Sequence, residues 1–449
     1  MSGPSEGDAT PITSVRQLAE YIAGGAKPRE AWRIGTEHEK FAFRRSDLSP
    51  PSYDAPDGIR ALLEGHRALG WEPTLDNGRV IGLKRGQANI SLEPGGQFEL
   101  SGAPLATLHE TKAELDAHLA ETKAVGDSLG LGFLPHGFHP LARREDMPWM
   151  PKSRYAIMRR YMPTKGRLGL DMMLRTCTVQ VNLDVLDEAD MVEKFRISLA
   201  LQPVAVALFA NSPFAEGRPN GFKSFRAQTW TDTDPDRCGI PSVVFEEGFG
   251  FERYVEWVLD VPMYFVYRQG RYFDVAGRSF RDFMAGRLHA ETDGAVATIG
   301  DFADHLTTVF TEVRMKRYLE MRGADSGPPE MLMALPALWV GLLYDPGAQS
   351  EAAALIRDHA CQEWQSLHRD VPRHGLATPF CDGTALALAR EMVAIARRGL
   401  AARGLGEETY LAPLEEIAAS GRSLADRWLE RAASAWDGDV SRIFAEGAL

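Results

Sequence analysis

The chain has 449 residues, a formal net charge of −12, 44% hydrophobic and 25% charged positions. It is long enough for one large core or for two or three domains, and its excess of carboxylates argues against general nucleic-acid binding, which needs a basic surface. The longest apolar stretch, residues 197–210, contains Gln202 and Pro203 and is shorter than the roughly 20 residues that span a bilayer, so we expect no membrane partner.

The N-terminal segment shows neither a secretory signal nor the Arg-rich, acid-poor composition of a transit peptide. The four cysteines, Cys177, Cys238, Cys361 and Cys381, form no C-x-x-C pair, which is typical of unpaired thiols in a reducing compartment. We therefore expect a cytoplasmic protein.

In chain order, the sequence predicts a disordered tail over residues 1–12 and a single domain over residues 13–449. The domain begins with a helix capped by Thr13 or Ser14. The apolar spacing then predicts a strand at Arg33–Phe43, a helix at Gly58–Leu69, strand pieces within Val80–Ser101, and a long helix from about Thr107 to Gly130.

The second half predicts a strand at Leu174–Val185, a helix to about Asn211, strands at Met263–Arg268 and Lys316–Arg322, and mainly helix from about residue 328. Hairpin-like strands with helices between and after them are typical of an α+β protein built on an antiparallel sheet.

Acidic and amide side chains recur on these strands. Glu37 and Glu39 are two residues apart and share one face of a strand, with His38 on the other face. Two adjacent like charges are unfavourable in a sheet unless a cation neutralises them, whereas on a solvated face they are harmless. The doublet alone leaves both interpretations open, and His38 has no second histidine at a spacing typical of zinc sites.

The same pattern occurs on three further strands. In the segment SLEPGGQFELS, Glu93 precedes and Glu99 follows a Pro-Gly-Gly turn, and a hairpin with its polar side in water is the alternative. In LRTCTVQVNLDV, Gln180 lies on the polar face and suits Mg²⁺, while Cys177 lies on the apolar face and is expected in the core. Glu320 and Arg322 share a third face, as a simple ion pair or as a metal ligand beside a phosphate-binding arginine.

Taken together, a sheet face carrying five carboxylates would need divalent cations, and such cations bind nucleotide phosphates. The P-loop, G-x-G-x-x-G, H-E-x-x-H and G-x-S-x-G motifs are absent from the sequence.

Several segments resemble the plant and proteobacterial type of glutamate–cysteine ligase. They include IGTEHEKFAF, SLEPGGQFELSGAPLATLH, GLDMMLRTCTVQVNLD and RYLEMRGAD, and together they cover nearly the whole chain from about residue 12. The resemblance implies an α+β catalytic domain related to glutamine synthetase, a curved antiparallel sheet forming a funnel flanked by helices.

The resemblance also implies a reaction. ATP phosphorylates the γ-carboxylate of glutamate, and the cysteine amine then displaces phosphate from the γ-glutamyl phosphate, which is the first step of glutathione synthesis. The implied partners are glutamate, cysteine and ATP, with Mg²⁺ as the cofactor, and the oligomeric state is a monomer or a homodimer.

Site residues transfer onto matching positions. The implied metal ligands are Glu37, Glu39, Glu93, Glu99, Gln180 and Glu320. Arg322 is expected to face the transferred phosphoryl group and Arg226 the substrate carboxylates, and both are the implied catalytic residues. Arg154, Tyr155 and Tyr264 are expected in the substrate pocket with Arg226.

The chain departs from the plant members at the positions of their regulatory disulfides. The positions that align with the regulatory disulfides of plant members, Lys112, Val275, Ala290 and Met333, hold no cysteine, so we expect no such switch. Alternatives to the implied reaction are a related ligase with another amine acceptor, a metallohydrolase, and a non-catalytic binding protein of the same fold.

Overall fold

The structure, a computed structural model, describes residues 7–449. Of the tail expected over residues 1–12, residues 1–6 lie outside this range. Asp8, Thr10 and Ile12 exchange backbone hydrogen bonds of 2.8–2.9 Å with residues 297–300. The division of the chain into a tail and one domain stays a prediction.

Helices are distributed along the described chain and dominate its C-terminal part, as expected. They are α1 (Val15–Ala23), α2 (Ile59–Arg67), α3 (Leu108–Ser128), α4 (Ser153–Tyr161), α5 (Gly169–Arg175), α6 (Glu188–Leu208), α7 (Phe225–Trp230), α8 (Phe251–Asp260), α9 (Phe280–Met284), α10 (Ile299–Leu306), α11 (Pro329–Leu343), α12 (Pro346–Ile356), α13 (Cys361–His374), α14 (Ala385–Arg403), α15 (Ala412–Ser420), α16 (Leu424–Ala433) and α17 (Ile443–Glu446).

The described residues form one large antiparallel sheet and four two-stranded pairs. The large sheet comprises β1 (Ile34–Arg44), β2 (Glu72–Asp76), β3 (Arg79–Arg85), β4 (Ala88–Leu92), β5 (Phe98–Ser101), β6 (Leu131–Leu134), β7 (Thr178–Leu183), β8 (Val313–Met315) and β9 (Leu319–Asp325). Its order is β8-β9-β7-β1-β5-β4-β3-β2, and β6 pairs with the second half of β1.

One face of this sheet is covered by buried helices. Val179, Val181 and Leu183 of β7 belong to the main core together with α6 and α11. Most residues of α11 are buried, which is why this helix is apolar on all sides rather than amphipathic. The helices thus support the sheet from behind and leave its opposite face available for a site.

The structure corrects the bounds of two predicted strands. Residues 174 and 175 end helix α5, because Arg175 pairs with Asp171 one helical turn earlier at 2.6 Å. Lys316 and Tyr318 form the turn between β8 and β9, where the Lys316 N–H donates to the Tyr318 carbonyl. The strands over the functional positions are otherwise where the alternation predicts them.

Among residues 7–449, no single helix is both long and apolar enough to cross a membrane. The pair α11 and α12 reaches that threshold only by combined length and composition, and it is bent by 90°.

Candidate active site

The central strand β1 places two glutamates on the open face of the sheet. Glu37 lies opposite Ser101 of β5 and Gln180 of β7, and Glu39 lies opposite Glu99 of β5. Because directly opposed residues of antiparallel strands project to the same side, these carboxylates and the Gln180 amide face one space. His38 points to the other side, where it is buried 5.4 Å from the His118 ring, so it belongs to the core.

A tight turn brings Glu93 to the same space. Its N–H donates to the Gln97 carbonyl at 3.0 Å, and its carbonyl accepts from Gly96. The Gln97 side chain accepts from the Gly95 N–H at 2.8 Å and donates to two carbonyls near the end of α5. The buried amide therefore fixes the turn against α5 and sets the position of Glu93.

These carboxylates, Glu37, Glu39, Glu93 and Glu99, are here named the acidic group. Burial and the neighbouring charges of Glu93 and Glu99 raise the pKa of Glu39 well above its usual range, although its carboxylate accepts from the Thr178 N–H at 2.9 Å. Burial, with Glu37 and Glu93, raises the pKa of Glu99 to about 7. Burial and mutual repulsion thus oppose ionisation of Glu39 and Glu99, and a bound cation would favour their charged form.

Glu320 lies in the opposite electrostatic environment. Its carboxylate accepts from Arg314 Nε at 2.5 Å and lies 3.4 Å from Lys316 Nζ and 3.5 Å from Arg322. Although burial opposes ionisation, these cations hold the pKa of Glu320 well below its usual range. The structure therefore contains the ion pair that was one interpretation of Glu320 and Arg322, and Arg314 is the nearest partner of Glu320.

Arg322 contacts side chains of two neighbouring strands, Gln180 of β7 and Glu320 of β9. Its guanidinium donates to Gln180 Oε1 at 3.0 Å, in the row of side chains that includes Glu37. The β9–β7 register shifts between Met321 and Ala324, and Arg226 donates to the carbonyls of Arg322 and Gly323 within this irregularity at 2.9 and 3.0 Å. Arg226, Arg314, Lys316 and Arg322 are here named the cationic group.

All of these side chains line a single cavity. Of the site residues predicted from the sequence, the cavity brings together Glu37, Glu39, Glu93, Glu99, Arg154, Tyr155, Gln180, Arg226, Glu320 and Arg322. The Tyr155 hydroxyl is already engaged, since it donates to the Leu92 carbonyl at 2.8 Å. Arg154 Nε and Arg226 Nε are buried and have no hydrogen-bond partner among the described residues.

Tyr264 is the exception. It is 1% exposed, its ring stacks under the Arg237 guanidinium at 4.1 Å, and it does not line the cavity. Its ring centroid lies 6.4 Å from that of Phe310, which does line the cavity. Tyr264 therefore lies behind Phe310, outside the layer of residues that line the cavity.

Sequence reasoning missed Arg314, Lys316 and Asn182. Glu320 of β9 lies opposite Arg314 on β8 and opposite Asn182 on β7. The Asn182 amide also donates to Glu37 at 3.1 Å. The available signal was the spacing of Arg314 and Lys316, two apart just before a turn. That signal identifies a face only when the β8–β9 register is known.

Comparison with known proteins gives the chain a family. The model of "Glutamate-cysteine ligase family 2" matches residues 33–446, nearly the whole chain. The chain belongs to this family. The resemblance stated from the sequence motifs is thereby confirmed.

Several relatives of this glutamate–cysteine ligase family member come from plants. The chain is 52% identical to glutamate–cysteine ligase B, chloroplastic, of Oryza sativa subsp. japonica, over 97% of this chain and 87% of that protein. It is equally similar to the chloroplastic enzymes of Solanum lycopersicum (98% and 83%) and Arabidopsis thaliana (98% and 83%). These matches confirm the predictions of a ligase and of ATP-dependent γ-glutamylcysteine formation as its reaction.

A solved structure supports the fold. The glutamate–cysteine ligase of Francisella tularensis, determined in complex with AMP, superposes with a TM-score of 0.54 over 92% of this chain and 88% of that one, at 13% identity. The predicted α+β fold is confirmed.

One expectation is wrong. The sequence led us to expect a cytoplasmic protein, but these relatives are named chloroplastic, which points to a plastid rather than to the cytoplasm. The reducing conditions that four unpaired cysteines suggest do not by themselves distinguish one compartment from another.

Proposed function

We propose that the cavity on the open face of the sheet is where this family member joins glutamate to cysteine at the expense of ATP. The observation that carries the proposal is the meeting of the acidic group and the cationic group in one cavity, drawn from strands, turns and a helix that are distant in sequence. Substrates that combine carboxylates, an amine and a triphosphate need both kinds of charge.

The acidic group fits Mg²⁺, because several oxygen donors face the same space, and burial together with neighbouring carboxylates raises the pKa of Glu39 and of Glu99. We propose Glu37, Glu39, Glu93, Glu99, Gln180 and Glu320 as the residues that hold it. Bound Mg²⁺ neutralises phosphate charge and orients the phosphate oxygens. Glu320 is the least accessible of these candidates, since Arg314 already occupies one of its oxygens.

The cationic group suits the transferred phosphoryl. The γ-carboxylate oxygen of glutamate attacks the terminal phosphorus of ATP, which gives γ-glutamyl phosphate and ADP. Arg322 and Lys316 lie at the boundary between the two groups, where negative charge accumulates in this step. Preorganised cations are effective there because they stabilise that charge without reorganising.

In the second step the uncharged cysteine amine attacks the γ-carbonyl carbon, the C–O bond to phosphate breaks with its electron pair leaving on phosphate, and the amine proton passes to the departing phosphate or to solvent. No enzyme nucleophile is required, which agrees with the burial of Cys177 in the core. Arg154 and Arg226 each present a buried Nε without a partner among residues 7–449, and we propose that they bind substrate carboxylates. Tyr155 shapes this end of the pocket, and Tyr264 supports its wall.

Phosphate release tests the proposal and separates it from its alternatives. Purified protein with Mg²⁺, ATP and glutamate should release phosphate continuously only when cysteine is added, and γ-glutamylcysteine should accumulate in equal amount. Steady release without an amine would indicate a hydrolase, and no release would indicate a binding protein. Replacing cysteine by other amines measures how strictly the acceptor is chosen. One methylene or thiol group changes the discrimination between two acceptors by only about 1–3 kcal/mol.

Two further properties remain proposals. We propose that the chain acts on these small molecules without nucleic acid or membrane, and that it is a monomer or a homodimer. Sedimentation at several protein concentrations distinguishes the two oligomeric states.

A further inference from the structure

A second cluster of potential metal ligands lies away from the cavity. His359 precedes helix α13, Glu363 lies in its first turn, and Cys381 lies in the turn of the hairpin formed by Pro379–Phe380 and Gly383–Thr384. One donor atom of each residue lies within 4.8 Å of the others. None of the three lines the cavity of the proposed reaction.

The distances among the three donors suit a small divalent ion. Cys381 Sγ lies 3.1 Å from Glu363 Oε1 and 3.5 Å from His359 Nδ1, and the last two atoms are 3.8 Å apart. The point equidistant from these atoms is about 2.0 Å from each, close to the Zn–N, Zn–O and Zn–S bond lengths of about 2.0–2.3 Å.

The surrounding structure holds these donors in place. The His359 ring packs against the stacked pair of Trp364 (5.3 Å) and Phe380 (4.9 Å), which limits its rotation. The second oxygen of Glu363 accepts from the Ala360 N–H at 2.6 Å, which leaves Oε1 directed at the thiol. Cys381 itself has φ +50°, a conformation that ordinarily favours glycine or asparagine in a turn.

We propose that His359, Glu363 and Cys381 bind a zinc-like divalent cation that ties the hairpin to the start of α13. Sulfur and imidazole donors select a borderline-soft ion of this kind over Mg²⁺, which prefers oxygen. Three protein ligands at a partly exposed site leave one position for water.

Binding is an exchange of a proton for the metal. The Cys381 thiol donates to Glu363 Oε1 at 3.1 Å. When the ion binds, the S–H bond breaks, the proton passes to solvent and the thiolate binds the metal with the freed electron pair.

Cobalt substitution tests the site with a signal that the acidic group cannot give. The full-length protein is saturated with Mg²⁺ and titrated with Co²⁺, and thiolate-to-cobalt charge transfer is followed in the near ultraviolet. We expect a saturable band in the wild type, its displacement by Zn²⁺, and its loss in Cys381→Ser. His359→Ala should weaken Co²⁺ binding at least about tenfold, since even residues that only orient a ligand are worth that much.

Cys361→Ser is the matched control. This half-buried cysteine is near in sequence but is not one of the three donors, so the band should persist unchanged. Circular dichroism verifies that each variant is folded, and loss of the band from a folded Cys381→Ser protein supports the site. Absence of the band from the wild type, its persistence in Cys381→Ser, or its loss in Cys361→Ser would overturn the proposal.

Discussion

Glu39 and Glu99 are two buried carboxylates whose arrangement indicates a binding site for a cation. They lie directly opposite each other on neighbouring strands, both buried, and the pKa of each is raised by burial and by other carboxylates. A sheet gains nothing from this arrangement in the absence of a cation. Their positions are therefore better explained by ligand binding than by folding.

We expect Glu39→Gln to reduce kcat by about 10²–10³-fold, the size of effect produced by losing one preorganised electrostatic group. The Mg²⁺ concentration that gives half-maximal activity should also rise, because the amide carries no charge. Glu72→Gln, an exposed carboxylate on edge strand β2, is the control and should change neither quantity. An unchanged Mg²⁺ requirement in Glu39→Gln would remove Glu39 from the proposed ligands.

The raised pKa of Glu99 predicts one part of the pH dependence of the stability of the metal-free protein. Its pKa in the folded state is about 7, against about 4.3 in an unfolded chain. Between these values the folded state binds more protons at Glu99 than the unfolded state, so the contribution of Glu99 to stability is fully present below about pH 4.3 and is lost as pH rises to about 7. Melting temperatures measured with a chelator at pH 5–8 should show this decrease, and Glu99→Gln should flatten it. Equal slopes in the two proteins would contradict the assignment.

Arg322 should act on the transferred phosphoryl rather than on folding, because it is held between Gln180 and Glu320 at the boundary of the two charged groups. We expect Arg322→Gln to lower kcat by about 10²–10³-fold with little change in melting temperature. Arg317→Gln, at an exposed arginine of the same β8–β9 hairpin, should retain activity. Comparable kinetics in both variants would show that Arg322 has no catalytic role.

At the scale of elements, alternation and turn chemistry made much of the site predictable. The pairs Glu37 with Glu39 and Glu93 with Glu99 share a face because a strand repeats every two residues and a Pro-Gly-Gly turn reverses the chain. Pairing between distant strands is not encoded in that local pattern. The contact of Arg314 with Glu320 follows from the register of β8 with β9, and that of Asn182 with Glu37 from the register of β7 with β1, so sequence reasoning assigned neither residue to the site.

The turn between β4 and β5 shows why an element needs a particular residue. A Cβ added at Gly95 would lie 2.3 Å from the Leu174 carbonyl oxygen, a backbone atom that cannot rotate away. We expect Gly95→Ala to destabilise the protein by about 1–3 kcal/mol and to reduce activity, since it displaces the turn that positions Glu93. Denaturant unfolding and kcat measure the two effects.

Gly86→Ala is the comparison for that variant. Gly86 lies in another turn of the same sheet, has φ +59° and has open space around its Cβ position. Its substitution should cost about 1–2 kcal/mol of backbone strain and leave kcat unchanged. If both variants lost activity to the same extent, the close approach at Gly95 would not be the cause.

At the scale of the whole molecule, the open face of the sheet brings the two charged groups together in one cavity, while helices cover its other face. The fold class followed from the order of strands and helices, and the α+β prediction is confirmed. The net charge of −12 did not reveal that Arg226, Arg314, Lys316 and Arg322 line the same cavity. The compartment did not follow from composition either, because unpaired cysteines are compatible with more than one.

The account depends most on divalent cations binding where the acidic group faces the cavity. Crystals soaked with Mn²⁺ and a non-hydrolysable ATP analogue, measured at the manganese absorption edge, locate these ions directly. We expect anomalous peaks in contact with carboxylate oxygens of Glu37, Glu39, Glu93 and Glu99 and with the analogue's phosphates. A nucleotide bound in the cavity without any manganese beside these carboxylates would contradict the account.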